Sequence, residues 1–217
     1  MYKWKTNEYG LIVVTREDGS EFVPTLTGEF ADRMSSVLAK WSDVVRPIGE
    51  QFGILERWIL AMVYQESNGN PRAFRQERHP DGTPIISPGG RPLTGVGLLQ
   101  ITSPSLKGGY TDEQLFDPQL NLTIGTRYIR EIARRPDVNW DWPKVAATFN
   151  AGSPRPNPKS EWNLYCYGNH VDAEVSAQNY IVLRGLEPAQ HPAPLFDLIA
   201  LAREADDAAR EEPDPAA

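Results

Sequence analysis

The stretch ILERWILAMVYQESNGNP, residues 54–71, decides how this chain folds. Ile54, Trp58 and Met62 form one row at helical spacing, and Leu55, Ile59 and Val63 form the row beside it. Two adjacent rows make an apolar stripe along an α-helix. One further turn of that stripe arrives at Glu66, beyond Met62 and Val63. The helix then meets Asn68, Gly69, Asn70 and Pro71, all of which terminate helices. A carboxylate on an apolar stripe loses solvation, which favours the neutral acid and raises its pKa toward working pH. A protonated carboxyl facing a cleft is what cleavage of a glycosidic bond requires. The competing reading is a frayed helix end whose Glu simply points to water.

Working outward, helical patterning starts near Thr27–Gly28 and runs through EFADRMSSVLAKWSDVV, where Pro47, Ile48 and Gly49 are expected to interrupt it. Downstream, GVGLLQITSPSL reads as a short helical start. DPQLNLTIGTRYIREIARR is helical through Leu120, Ile124, Tyr128 and Ile132. WPKVAATFNAG gives a shorter helix, and HVDAEVSAQNYIVLRGL the last helix of the body. At the N-terminus YGLIVVTREDGSEFVPTL reads as a hairpin turning at Asp18–Gly19, with Pro24 suited to an edge strand. Residues 72–94 are rich in Gly, Pro and charge without periodicity, so they are either disordered or a functional loop. The fold class is therefore mainly α (α+β) with a small N-terminal β-hairpin. Three parts are expected: a hairpin extension over 1–27, a catalytic body over 28–185, and a Pro-rich linker with an acidic helix or tail over 186–217.

A chain of 217 residues with 40% hydrophobic content holds one good-sized domain. Its apolar runs are far shorter than the ~20 residues a bilayer span needs, so no transmembrane segment is expected. MYKWKTNEYG lacks the apolar core of a secretory signal, so no signal peptide is expected. With Cys166 alone, an internal disulfide is excluded. His79, His170 and His191 show no ligand spacing, which predicts no metal site and no cofactor. Cys166 and His170 form a conceivable reactive pair, set against an ordinary half-buried cysteine. The net charge is −7, and from Leu186 onward eight acids face only Arg203 and Arg210. No basic stripe appears, so nucleic acid is not an expected partner.

Four segments in order, ESNGNPRAF, GVGLLQIT, DPQLNLTIGTRYI and AATFNAG, are followed by AQNYIVL. This series resembles the catalytic domain of the soluble lytic transglycosylases, wall-cleaving relatives of the goose-type lysozymes. The likeness spans roughly Leu55 to Leu183. It implies a lysozyme-like fold, a glycan groove and peptidoglycan glycan strands as the partner. It also implies Glu66 as the lone acid and base, with Ser67 helping to hold or polarise it. Leu99 and Gln100 match the Gly-Leu-Met-Gln-Ile segment, Gln100 lining the groove. Asn150 matches the groove asparagine, and Tyr180 a late tyrosine whose hydroxyl lies close to the acid. Asp117, Asn121, Gly125 and Tyr128 fall in a motif read as structural. The implied product is a 1,6-anhydro sugar made without water.

Three departures qualify the likeness. Leu99 stands for a methionine, a change conservative in volume. Phe149, beside the groove asparagine, stands where a tyrosine is often found. The interval between Glu66 and Gly97 is longer than the family's, and Glu77 and Asp81 lie within it. If that loop folds over the groove, either one is a second carboxylate that positions water, and the enzyme is a muramidase. A third reading is a glycan-binding virion or envelope component with a dormant site. Phe149, Trp162, Tyr165 and Tyr167 are candidate stacking faces for sugars, against plain core packing. An enzyme of the bacterial wall or periplasm without a signal fits a phage lysis or particle-borne protein, with phage partners.

Overall fold

The computed structural model describes residues 1–79, 81–102 and 104–185. The linker and acidic tail expected over 186–217 lie outside the described residues. Two small sheets and seven helices make up the described chain. No helix among them is long and apolar enough to cross a membrane.

The central element is α2, Glu56–Ser67, in which every residue from Arg57 to Tyr64 is buried. A helix buried all round must be enclosed by others, and α1 (Gly28–Phe52) and α7 (His170–Leu183) pack against it. Helix α1 presents Met34, Val37, Leu38, Trp41, Val45 and Ile48 on one face. The interruption expected at Pro47 does not occur: α1 runs through it. Pro47 is exposed, so the carbonyl that it deprives of a donor faces water, while Ile48 and Gly49 stay buried behind it. Helix α2 stops where the sequence placed its end, with Asn68 left-handed at φ 51° and the Asn68 and Gly69 amides closing on Tyr64 and Val63. Trp41 Nε1 then donates to the Gly69 carbonyl at 3.0 Å, which pins that end to α1.

Two more helices complete the core. Helix α5, Pro118–Ala133, is N-capped by Asp117, and α6, Trp142–Ala151, is N-capped by Asp141. Trp142 stacks on Trp58 of α2 with ring centroids 4.9 Å apart. Between α2 and α5 lie β4 (Phe74–Gln76), β5 (Thr94–Val96) and two single-turn helices, α3 (Pro104–Lys107) and α4 (Asp112–Leu115). GVGLLQIT is thus not the start of a helix. It leaves β5 through tight turns, because Gly97 at φ 75° and Gln100 at φ 45° cannot continue one.

The N-terminal segment is a three-stranded antiparallel sheet, with β1 (Lys3–Thr6) added to the expected hairpin of β2 (Ile12–Thr15) and β3 (Glu21–Phe22). Ile12 and Val14 point into the common core. Asn179 of α7, fully buried, accepts from the Ile12 amide at 2.8 Å and donates to the Ile12 and Pro24 carbonyls at 2.9 Å each.

Candidate active site

Glu66 lies in the last turn of α2 and keeps 6% of its side-chain surface. It meets solvent at a cleft of about 450 Å³, whose lining includes Tyr64, Ser67, Arg75, Gln100 and, from α1, Phe30 and Arg33. Burial pushes its carboxyl up to about 7; the Arg75 guanidinium opposes that rise, and the charge of Glu77 adds to it.

The cleft wall opposite α2 is built by the second and third segments acting on each other. Gln100 is buried, and its Nε2 donates to the Ala73 and Gly97 carbonyls at 3.2 and 3.0 Å. Its amide oxygen lies against Gly95, where an added Cβ would come 2.8 Å from it. The turn that carries it is clamped by Asn121 of α5, which accepts from the Leu99 amide and donates to the Val96 and Leu115 carbonyls at 2.8–2.9 Å. Gly97 must be glycine there, since a Cβ would lie 2.3 Å from the Asn121 amide nitrogen. A Cβ on Gly125 would come 2.2 Å from Leu99 Cδ1. Leu99, expected at the substrate, is therefore a buried prop behind the wall, with no surface to offer a sugar.

The remaining expected residues take varied places. Ser67 Oγ donates to the Val63 carbonyl at 3.1 Å, one turn back along its own helix. Phe149 packs on Tyr128, ring centroids 5.6 Å apart, and is half-buried. Tyr180 shares a 2.8 Å hydroxyl contact with Ser35 of α1, and no hydrogen bond joins it to Glu66. Trp162 is buried against Tyr2 and Trp4 of the N-terminal sheet, which places it away from any open sugar face. Tyr165 lies under Arg155, and Tyr167 is exposed at its edge. Cys166 Sγ contacts the Gly168 carbonyl and not His170.

The described residues between 72 and 94 are paired in a small antiparallel arrangement. Strand β4 pairs with β5, and bridges at Arg78–Pro84 and Ile86–Pro92 extend it as a meander. Asp81 sits in its first turn, where Thr83 donates to the carboxylate from both amide and hydroxyl at 2.9 and 2.6 Å. Those bonds hold Asp81 below the usual carboxylate range and commit it to the turn. Glu77 is paired with Arg75 at 3.0 Å and lies close enough to raise Glu66.

Two groups at this site carry no motif signal. His170 Nε2 lies 3.8 Å from Glu66 Oε1, and burial pushes its pKa down. Its Nδ1 is 2.6 Å from the Tyr167 carbonyl, and the Tyr167 amide donates to Asn150 Oδ1 at 2.6 Å. One turn along α7, Glu174 is wholly buried, and neither carboxyl oxygen has a hydrogen-bond partner among the described residues. Burial pushes its pKa well up, and the charge of Glu66 pushes it further. The four-residue spacing of the two on one helix was the available cue, but only packing of α7 on α2 aims them at Glu66. No group of three metal-ligating side chains gathers among the described residues.

Comparison with known proteins places this geometry. Residues 43–164, more than half of the chain, match the family model described as Transglycosylase SLT domain. The membrane-bound lytic murein transglycosylase E of Buchnera aphidicola is 28% identical over 125 residues, covering 52% of this chain and 49% of that protein. The membrane-bound lytic murein transglycosylase F of Photobacterium profundum is 30% identical over 131 residues, covering 58% of this chain and 22% of that one. The chain thus spans at most about half the length of these curated relatives. Solved structures of two Bd0314 DslA mutants align at 20% and 19% identity with TM-scores of 0.31 and 0.32, over 48% and 56% of this chain and 66% and 70% of theirs. With a helical body around a cleft and a family match across α2, the Gln100 turn, α5 and α6, the chain belongs to the Transglycosylase SLT domain family.

Proposed function

We propose that the protein is a lytic transglycosylase that cuts the peptidoglycan glycan strand between N-acetylmuramic acid and N-acetylglucosamine. The observation that carries this reading is Glu66, a buried carboxyl pushed up to about 7 beside a cleft, in a chain of this family. Such a group gives up and regains a proton near neutral pH. Glu66 protonates the glycosidic oxygen as the bond to C1 of the muramic residue breaks. The carbonyl oxygen of that residue's own N-acetyl group bonds to C1. The Glu66 carboxylate then takes the proton of the 6-hydroxyl, O6 bonds to C1, and the acetyl oxygen leaves. Glu66 ends protonated, and no water is consumed.

The other roles belong to the same proposal. Gln100 offers its amide oxygen to a sugar, since both Nε2 hydrogens go to carbonyls. Asn150 spends its oxygen on Tyr167 and keeps its NH2 for an N-acetyl carbonyl. Phe30 and Phe74, about half exposed at the cleft, supply apolar faces for sugar rings. A hydrolytic route would have to draw its second carboxylate from Glu77, because Asp81 is committed to its turn.

Mass analysis of muropeptides released from purified peptidoglycan tests the reading. Anhydromuramoyl ends are expected, and Glu66→Gln is expected to reduce their release by at least about a hundredfold. Reducing ends instead would make the protein a muramidase, and undiminished release by Glu66→Gln would remove catalysis from Glu66. Delivery by a phage, as a lysis or particle-borne enzyme, is a separate proposal, checked by looking for the protein in purified particles.

A further inference from the structure

We propose that His170 is a positioning residue for Glu66, presenting a bare imidazole nitrogen to the carboxyl at the end of a relay that starts at Asn150. The proposal rests on the reading of Glu66 as the acid. The relay fixes the tautomer. Tyr167 O is a carbonyl and can only accept, so the proton of a neutral His170 sits on Nδ1, 2.6 Å away. Nε2 is then the unprotonated nitrogen, and it faces Glu66 Oε1 at 3.8 Å. Asn150 holds the Tyr167 backbone in place through its amide, so the ring's orientation is set from α6 as well as from α7. Contacts of this kind tighten when substrate closes a site.

Burial opposes an imidazolium at His170 and the Arg75 guanidinium on β4 does so too, while the hydrogen bond to the Tyr167 carbonyl acts the other way; the net effect lowers its pKa. Glu66 faces it from α2, Glu77 follows β4, Tyr167 precedes it, and Glu174 lies one turn along its own helix. The Glu174 carboxyl has no hydrogen-bond partner among the described residues and is wholly buried, which disfavours its charged form.

A bare nitrogen acts differently on the two forms of Glu66. It accepts from the protonated carboxyl and so stabilises the acid that must protonate the leaving oxygen. It offers nothing to the carboxylate, which is left unsatisfied and keen to take the 6-hydroxyl proton. The relay thus raises the acid's readiness in the first step without blunting the base in the second.

The test compares pH–rate profiles of anhydromuropeptide release. His170→Asn keeps a donor near the Tyr167 carbonyl and removes the group facing Glu66; His170→Gln returns an amide at the outer position. For His170→Asn the alkaline limb is expected to move down by about one pH unit, with kcat at pH 7 reduced roughly fivefold and KM little changed. His170→Gln is expected to recover part of the shift. A limb that stays at its wild-type position in a folded His170→Asn protein overturns the proposal, since packing alone lowers stability without moving the limb. A second measurement needs no change at His170. In ¹⁵N NMR spectra the wild-type ring is expected as the Nδ1–H tautomer. An Nε2–H tautomer overturns the proposal too. Product identity separates this from the functional reading: reducing ends would sink the lyase while leaving the limb comparison intact.

Discussion

At the scale of one residue, Glu66 is held in the folded chain at a cost. Its folded pKa is about 7, while a solvated Glu titrates near 4.3. Between those values the folded state binds the extra proton, so stability falls as pH rises through the window and the loss is complete above about 7. At ~1.4 kcal/mol per pKa unit the full penalty is on the order of 4 kcal/mol. Glu66→Gln removes the charge and keeps the shape. Its unfolding midpoint is therefore expected to match wild type at pH 4 and to exceed it at pH 8. Equal midpoints at both pH values would mean that Glu66 is solvated and that the apolar stripe does not tune it. The stripe was readable in the sequence because Met62, Val63 and Glu66 share one helix, where spacing alone fixes the face. His170 and Glu174 were not readable, because their relation to Glu66 depends on how α7 crosses α2.

At the scale of the element, the cleft wall is a turn and a helix fitted to each other. Gly125 of α5 leaves room for Leu99, and a methyl group added there would sit 2.2 Å from the leucine side chain. Gly125→Ala is expected to cost about 1–3 kcal/mol as overpacking and to displace the turn that orients Gln100. Leu99→Ala opens the same space, so the double variant is expected to lose less stability than the sum of the two single ones. Urea unfolding of the four proteins measures that coupling, and simple additivity would show that the two sites do not share the space. The sequence grouped Asn121 and Gly125 as structural and could not say what they supported. It left the 72–94 interval as disorder or a functional loop for a local reason: its strands are too short and polar to show alternation, while the turn signals at Asp81–Gly82 and Gly89–Gly90 were present. Pro47 misled in the opposite sense, because an exposed helix face tolerates the loss of one backbone hydrogen bond.

At the scale of the whole molecule, the N-terminal sheet and the site share a helix. Asn179 of α7 ties Ile12 and Pro24 with three hydrogen bonds, and Trp4 Nε1 reaches Asp141 at the start of α6 at 3.0 Å. Sheet and helices α6 and α7 are thereby joined, and those two helices carry Asn150, His170 and Glu174. The sequence showed only a hairpin extension, because nothing local marks Asn179 as the partner of residues so far away. Asn179→Leu leaves one buried backbone N–H and two carbonyls without their side-chain partner. At about 1–3 kcal/mol for each group left unsatisfied, the loss is on the order of 3 kcal/mol or more. If the sheet braces the site, amide exchange in that variant accelerates along β2 and the first turns of α7 together, and anhydromuropeptide release declines at temperatures below the unfolding midpoint. Faster exchange confined to β2, with release unchanged, would make the sheet a passenger on a self-sufficient body. The bracing account is favoured by the placement of the bonds, since they fix the same helix whose first residue faces Glu66.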